Sequence, residues 1–158
     1  MKNRPIIRYI SFCFVLLSLH SCQPKDQSGK EADNRKNAIE FYRTAFLGNP
    51  RAAVEKYVGE RYIQHNPSVS DGKEGFIEYF ERMHREYPDK TIEFVRAVAQ
   101  DSLVALHTHQ IWQGWEGPGT NEWITMDFFR FDDKGKIVEH WDAIQQVPET
   151  SRNDNKMY

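Results

Sequence analysis

The sequence predicts an α+β domain in which three N-terminal helices pack on a curved, mostly antiparallel sheet and enclose a pocket. Apolar residues recur at helical spacing in three segments of the first half. The second half contains four runs rich in β-branched and aromatic residues, separated by turns. Helices followed by such strands are typical of α+β domains, and a sheet that curls around a helix leaves a cavity on its concave face.

The first residues of the chain predict a secreted protein with a lipid anchor. Basic residues precede a short apolar run at residues 10–19, so residues 1–21 are typical of a signal peptide rather than of a membrane-spanning helix. The run ends in LHSC, which resembles a lipobox, in which Cys22 is lipidated and becomes the first residue of the mature chain. An ordinary cleaved signal with an incidental cysteine is the alternative.

The segment after the anchor is polar, and residues 22–33 are therefore predicted to form a flexible tether. An anchor followed by a tether attaches a protein to a membrane without crossing it. We therefore expect the chain in the bacterial cell envelope, facing the periplasm or the cell surface. Because Cys13 lies in the signal and Cys22 carries the lipid, we expect no disulfide in the mature domain.

Composition and charge indicate which kinds of partner to expect. The chain has 158 residues, which suits one domain, and its net charge of -2 comes with scattered basic residues. Such a charge distribution gives no general attraction to nucleic acid, so no nucleic-acid partner is expected. An open sheet with many aromatic residues makes a homodimer a reasonable expectation.

Three helices are predicted in residues 34–87. The predicted segments are residues 34–48, residues 50–58 with Pro50 in the first turn, and residues 76–87. Between the second and third helices, Pro67 restricts Asn66 to extended conformations and so holds it in a defined turn.

Strands and turns fill the rest of the predicted domain, residues 34–148. The predicted segments are strands at residues 92–99 and 103–112, a loop at residues 113–123, and a β-hairpin at residues 126–148 with its turn at residues 132–135. Residues 149–158 are predicted to be a polar tail.

The hairpin carries polar residues that a hairpin rarely needs. If Phe131 pairs with Lys136, Asp127 lies opposite His140 and Asp142 shares their face. These acids would then lie among apolar neighbours, where desolvation raises a carboxyl pKa, and two carboxylates on one face would leave one of them protonated at neutral pH. The alternative is a half-wet sheet face with ordinary surface residues.

Other chemistries lack their signatures. Histidines that could bind a metal occur at His65, His107, His109 and His140, but HExxH, CxxC and clustered carboxylates are missing from the sequence. We therefore expect hydrogen-bonding histidines at a pocket wall and no metal. The mature chain also has no GxSxG motif and no glycine-rich phosphate loop, so proton transfer without a cofactor is the expected chemistry.

Four segments carry a family resemblance: YIQHNP, DGKEGF, DFFRFDDKGKIVEHWD and QQVP. Together they resemble the SnoaL-like polyketide cyclase family of the nuclear transport factor 2-like superfamily, over residues 34–148. The resemblance implies a cone-shaped fold and a cofactor-free intramolecular aldol condensation, in which an aspartate removes a carbon-bound proton and returns it to the carbonyl oxygen. That aspartate matches Asp142, and the pocket asparagine matches Asn66. Asp127 stands where the cyclases carry a pocket histidine.

The resulting hypothesis is a lipid-anchored protein with a pocket for a small, largely apolar carbonyl compound. The predicted catalytic residues are Asp142, Asp127 and His140, and the predicted substrate-binding residues are Asn66, His65, His107, Phe129 and Trp141. Aldol or isomerase-type proton transfer is one reading, and a non-catalytic binding domain on the same fold is the alternative. An epoxide-type hydrolase would need an arginine between two carboxylates, whereas Arg130 is predicted to lie on the opposite face.

Overall fold

The computed structural model describes residues 27–158, and the predicted signal peptide and Cys22 lie outside the described residues. The helices are α1 (Gln27–Phe46), α2 (Pro50–Tyr57) and α3 (Gly72–Glu86), and the strands are β1 (Val58–Gln64), β2 (Thr91–Gln100), β3 (Leu103–Ile111), β4 (Glu122–Phe131) and β5 (Ile137–Gln146). The helices pack on a curved, unclosed sheet. This confirms the predicted fold class. In the part of the chain that the structure describes, no helix is long and apolar enough to cross a bilayer.

Helix α1 forms the centre of the core. Its buried residues are Asn34, Ala38, Phe41, Tyr42, Ala45 and Phe46, which lie on one face as the helical spacing predicted. Phe41 stacks on Phe76 of α3 at 4.9 Å and meets Phe129 of β4 edge-on at 5.8 Å. The aromatic residues of one helix thus bridge the helical layer and the sheet.

The N-terminal end of α1 differs from the prediction. The helix begins at Gln27, so residues 27–33 are helical, although a flexible tether was expected there. The reason is contact with two strand turns. The Glu31 carboxylate accepts a hydrogen bond from the backbone N–H of Asp101 at 2.8 Å, and Lys30 forms an ion pair with Asp133 at 3.2 Å.

Strand β1 was not predicted. The sequence suggested a helix up to Val58 and then a turn, but α2 ends at Tyr57 and Val58 begins a strand at once. The strand order is β1-β5-β4-β3-β2, in which β1 pairs with β5 in parallel and the other pairs are antiparallel. Parallel pairing with the last strand is a long-range contact, which local periodicity cannot reveal.

The predicted register of the β4–β5 hairpin is wrong by two residues. The Asp132 N–H donates to the Lys136 carbonyl within the turn, so Phe131 pairs with Ile137 rather than with Lys136. A β-bulge after this pair then shifts the register again, and Asp127 lies opposite Asp142. Because side chains alternate, a shift of two residues keeps every face unchanged. Asp127, His140 and Asp142 therefore share one face, as predicted.

The two faces of the sheet differ. The inner face points toward the helices and contains buried residues such as Leu106, Thr125 and Asp127. The outer face carries the intervening residues, among them the exposed Met126 and Phe128. Alternation along each strand thus decides which side chains can take part in a site under the helices.

Candidate functional site

A small cavity lies between the inner face and the C-terminal halves of α1 and α3. Its walls are formed by Tyr42, Phe46, Gln64, Asn66, Val69, Tyr79, Phe80, Met83, Gln110, Trp112, Thr125, His140, Asp142 and Ile144. Its volume is about 30 Å³, which accommodates water but is far below the roughly 300–1,000 Å³ of typical ligand pockets. A ligand larger than a few atoms therefore requires wall side chains to move.

Asp142 is the acid of this cavity. Its Oδ2 accepts a hydrogen bond from Asn66 Nδ2 at 2.8 Å, whereas its Oδ1 is buried and has no hydrogen-bond partner among the described residues. Burial raises the pKa of Asp142; the charge of Asp127 raises it further, while His140 and Asn66 act in the opposite direction. Burial, rather than repulsion between the two acids, is therefore the largest cause of the raised pKa of Asp142.

The turn that carries Asn66 is fixed by local contacts. Asn66 Oδ1 accepts the Ser68 N–H at 2.8 Å, so Nδ2 must be the atom that faces Asp142. Gly75 of α3 packs under this turn, since a Cβ at Gly75 would lie 2.0 Å from the Ser70 carbonyl oxygen. The glycine of the DGKEGF segment thus allows the close approach that positions Asn66.

His140 is held between two acceptors beside Asp142. Its Nε2 lies 3.0 Å from Asp127 Oδ1, and its Nδ1 lies 3.1 Å from Gln64 Oε1. The orientation of Gln64 is determined, because the same Oε1 accepts the backbone N–H groups of His65 and Asn66. Both ring nitrogens of His140 therefore face acceptor oxygens, and each can donate a hydrogen bond there when it carries a proton.

The hydrogen bonds on the other side of Asp127 also run toward it. Thr125 donates to Asp127 Oδ2, and Thr108 lies 2.6 Å from Thr125 and must therefore donate to it. Gln110 Nε2 in turn donates to Thr108 and to the Tyr42 hydroxyl. Asp127 is thus the terminal acceptor of a network that spans four strands, with its carboxylate completely buried.

Two tyrosines present hydroxyl groups to the cavity. Burial raises the pKa of Tyr42 well above its usual range, and burial also raises that of Tyr79. Both phenols therefore keep their protons at neutral pH. Because the Tyr42 oxygen already accepts from Gln110, its own proton is left to donate, which suits a carbonyl oxygen that gains negative charge.

Three of the residues predicted to bind substrate lie on the outer face instead of at the cavity. His65 stacks on Trp141 at 4.9 Å and contacts Glu139 at 2.9 Å, so both rings point away from the cavity. His107 is also on the outer face, where Arg96 donates to its Nδ1 at 3.0 Å. Adjacent strand residues point to opposite faces, so Trp141 could not share a face with Asp142.

Phe129 does not line the cavity either. It lies one layer deeper in the core, where its ring stacks on the His140 ring at 4.5 Å and packs against α1. Its effect on the site is to hold the His140 ring in place. Of the predicted site residues, Asp142, His140 and Asn66 line the cavity, and Asp127 lies directly behind them.

Several cavity residues were missed by sequence reasoning. These are Tyr42, Gln64, Thr108, Gln110 and Thr125. Tyr42 was assigned only to the apolar face of α1. Thr108 and Gln110 alternate with His107 and His109 along β3, so the sequence did indicate that the two pairs lie on opposite faces. The prediction chose His107 because histidine is the more reactive residue, and it therefore chose the face away from the cavity.

No group of three or more His, Cys, Asp or Glu side chains in residues 27–158 is arranged to hold a metal ion. His109 instead contacts Glu122 at 2.8 Å and stacks on Tyr158 at 3.7 Å. The described site therefore offers proton-transfer groups rather than a ligand set.

Helices on a curved, unclosed sheet, with a buried acid between the two layers, define an α+β protein of the nuclear transport factor 2-like kind. The chain belongs to the SnoaL-like polyketide cyclase family, whose model matches residues 36–150. No curated protein matches the sequence.

Solved structures show the same fold. TsrD from Streptomyces laurentii is 19% identical with a TM-score of 0.59 over 72% of this chain and 88% of its own. A protein of Bacillus cereus named as a proposed polyketide cyclase is 18% identical, with a TM-score of 0.61 over 71% and 74%. AclR from Streptomyces galilaeus, named as a proposed hydroxylase, is 21% identical, with a TM-score of 0.60 over 75% and 82%. At these identities the likeness is one of fold alone.

Proposed function

We propose that the inner cavity binds a small, largely apolar carbonyl compound and catalyses a cofactor-free proton transfer of the aldol or isomerase type. The observation that carries this proposal is Asp142. Asp142 lines the cavity; one oxygen of its carboxyl is held by Asn66, while the other is buried and has no partner among residues 27–158. A raised pKa makes the ionised form of such a carboxyl a stronger base than an exposed aspartate.

In the proposed reaction, Asp142 removes a proton from the carbon next to the substrate carbonyl. The electron pair of that C–H bond moves into an enolate, whose oxygen accepts the Tyr42 hydroxyl hydrogen bond. In an aldol reaction the enolate carbon attacks a second carbonyl of the same molecule, and Asp142 returns its proton to the new alkoxide. In an isomerisation the proton returns to a different carbon. Neither route needs an oxidant or a reductant.

His140 and Asp127 have supporting roles in this proposal. His140 lowers the pKa of Asp142 and so counters part of the effect of burial, which favours the ionised form that acts as the base. Asp127 does not line the cavity and acts through His140, whose Nε2 lies 3.0 Å from Asp127 Oδ1 and is held in place by it. In this proposal Asp127, which occupies the position of the histidine of the cyclases, supports His140.

A non-catalytic role in binding small molecules is the second candidate. The small volume of the cavity favours it, since about 30 Å³ is too little space for a reacting ligand without movement of the walls. Val69, Met83 and Ile144 are the non-aromatic apolar side chains of the cavity wall, and a binding protein needs only that such side chains move aside.

Solvent exchange at carbon distinguishes the two candidates. The full chain is mixed in D₂O with a set of small cyclic and open-chain ketones, and loss of the α-proton signal is followed by ¹H NMR. An enzyme accelerates exchange for at least one ketone, and Asp142→Asn removes the acceleration while that ketone still binds. Binding of ketones without exchange, equal in the wild type and in Asp142→Asn, supports the binding protein and contradicts the enzyme.

Lipid anchoring at Cys22 and location in the bacterial cell envelope are further parts of the proposal, supported by the LHSC sequence at the end of an apolar run. Mass spectrometry of the membrane fraction should find an acylated N-terminal Cys22, and Cys22→Ala should release the chain from the membrane. A homodimer stays a prediction that light scattering of the purified chain can test.

A further inference from the structure

One end of the domain is formed by the beginning of α1 and by two strand turns. Glu31 accepts the backbone N–H of Asp101 in the β2–β3 turn at 2.8 Å, and Lys30 pairs with Asp133 in the β4–β5 turn at 3.2 Å. These contacts join the helix and both turns into one surface. This surface is called the base, and it consists of residues 27–31, 101–102 and 132–135.

The inner cavity lies at the opposite end of the domain. At the helical rise of about 1.5 Å per residue, the cavity residues Tyr42 and Phe46 lie roughly 22–28 Å along α1 from Gln27. At about 3.3 Å per residue, Asp142 and Ile144 lie roughly 17–23 Å along β5 from the β4–β5 turn. Both elements therefore put the cavity roughly 20 Å from the base.

Little chain separates the base from the predicted lipid anchor. Only the four residues 23–26 lie between Cys22 and Gln27, and a chain of this length spans at most about 17 Å even when fully extended. If residues 27–33 were extended as well, the reach would be about 40 Å. The helical start of α1 therefore removes most of the slack with which an anchored domain could turn over.

The base carries charges of both signs. A groove of about 520 Å³ beside the beginning of α1 is lined by the charged residues Lys30, Asp33, Lys36, Asp133 and Lys134. Among the described residues that line it, none has an apolar side chain, so the groove suits headgroups rather than the hydrocarbon core. A zwitterionic phospholipid headgroup carries a phosphate and an ammonium group, which match the lysines and the aspartates.

We propose that the base rests on the phospholipid headgroups of the bilayer that holds Cys22, and that the inner cavity faces away from the membrane. This inference rests on the proposed lipid anchor. With the base at the headgroups, the cavity lies roughly 20 Å further into the aqueous phase. The substrate then enters from water, so it is a carbonyl compound that dissolves there and not a lipid taken from the bilayer.

The test uses the lipidated chain in vesicles of phosphatidylethanolamine and phosphatidylcholine, with and without a lipid that carries a nitroxide on its headgroup. When Cys22 is lipidated, one introduced cysteine is the only thiol of the mature chain and can be labelled with a fluorophore. Lys134→Cys labels the base, and Glu116→Cys labels the exposed loop at the far end. The nitroxide should quench the fluorophore in the base severalfold more strongly.

Two charge reversals test the headgroup contact. Lys36→Glu, in the groove of the base, should reduce quenching of the fluorophore at position 134. Arg85→Glu is the matched control, since it makes the same change at an exposed position in the last turn of α3, near the far end, and it should leave the quenching unchanged. Equal quenching in the two variants would overturn the contact between the groove and the headgroups.

The relative quenching of the two labels tests the orientation. Equal quenching at both positions would overturn it, because the domain then lies on its side or has no fixed direction. Stronger quenching at position 116 would overturn it as well, since the cavity would then face the membrane. A chain missing from the membrane fraction removes the anchor and this inference together, whereas the ketone exchange that depends on Asp142 tests the cavity separately.

Discussion

The inner and outer faces of the same sheet accommodate polar side chains in different ways. On the inner face, Asp127, His140 and the threonines are buried and satisfy one another through directed hydrogen bonds. On the outer face, Glu139 connects His65 and Arg130 at the surface, and apolar residues such as Phe128 are exposed beside them. Residues of the same types therefore have different energetic weight, depending only on which side of the strand they occupy.

The difference between the faces arises from the helices. Helices α1 and α3 cover the inner face, so a charge there is removed from water and must be paired, whereas water screens the charges of the outer face. Catalytic use of an aspartate also depends on this cover, because burial is the largest cause of the raised pKa of Asp142. Paired substitutions, one on each face, test how far the contrast extends.

The largest effect is expected for activity. Asp142→Asn keeps the shape of the side chain and the contact with Asn66 but removes the base, so the ketone exchange described above should fall by about 10²–10⁴-fold. The unfolding temperature should change little. Glu139→Gln removes a carboxylate from the outer face of the same strand and should leave the exchange rate unchanged. A large loss of stability in Asp142→Asn would assign Asp142 a structural role instead.

Two neighbouring phenylalanines give the sharpest comparison of packing. Phe129 is 1% exposed under His140 and α1, so Phe129→Ala should lower the free energy of unfolding by about 3–5 kcal/mol. Phe128 is 47% exposed on the outer face, so Phe128→Ala should lower it by less than about 1 kcal/mol. Urea unfolding of both variants measures the difference. Equal losses would mean that the outer face is covered in solution.

Loss of a carboxylate should also cost more stability on the inner face than on the outer face, although the difference should be smaller than for the two phenylalanines. Asp127→Asn leaves the His140 ring buried beside an amide rather than a carboxylate, and removing one partner of a buried ion pair costs about 3 kcal/mol or more. Glu139→Gln breaks contacts that are partly open to water and should cost about 1 kcal/mol at most. Denaturant unfolding in low and high salt provides the measurement, and only the Glu139 variant should lose its difference from the wild type as salt increases. A salt-sensitive Asp127→Asn would contradict the buried pair.

The sequence predicted the features of this site that depend on local pattern. Helical spacing found the apolar face of α1, and strand alternation put Asp127, His140 and Asp142 together even though their pairing was wrong. Pro67 correctly marked the turn that holds Asn66. These results follow from neighbouring residues alone.

Features that depend on distant contacts were not predictable in the same way. Strand β1 exists because Val58–Gln64 pairs with β5, which follows it by more than 70 residues in the sequence. The faces of β3 could not be told apart either, since Thr108 and Gln110 alternate with two histidines and only pairing with β4 decides which set is buried. Trp141, by contrast, was misplaced although its position next to Asp142 excluded a shared face.

The smallest expected effect is the dependence of stability on Asp142 and pH. The pKa of Asp142 is higher in the folded protein than in the unfolded chain, so between these two pKa values the folded state binds more protons. Stability contributed by the protonated carboxyl is therefore present at low pH and is lost as pH rises through the folded pKa. Asp142→Asn should remove this loss and unfold at a slightly higher temperature than the wild type at neutral pH.

The folded pKa of Asp142 should also govern the rate of proton transfer, but this rate should increase with pH where stability decreases. The base must be ionised, so ketone exchange should rise with pH through the folded pKa of Asp142, in the range where stability falls. His65→Ala on the outer face should leave both curves in place, because its ring contacts Glu139 and not the cavity. Over one pH series, the fall in unfolding temperature should therefore end near the pH at which exchange is half-maximal. A fall that ends at a clearly different pH would show that the group that limits exchange is not the aspartate whose burial costs stability.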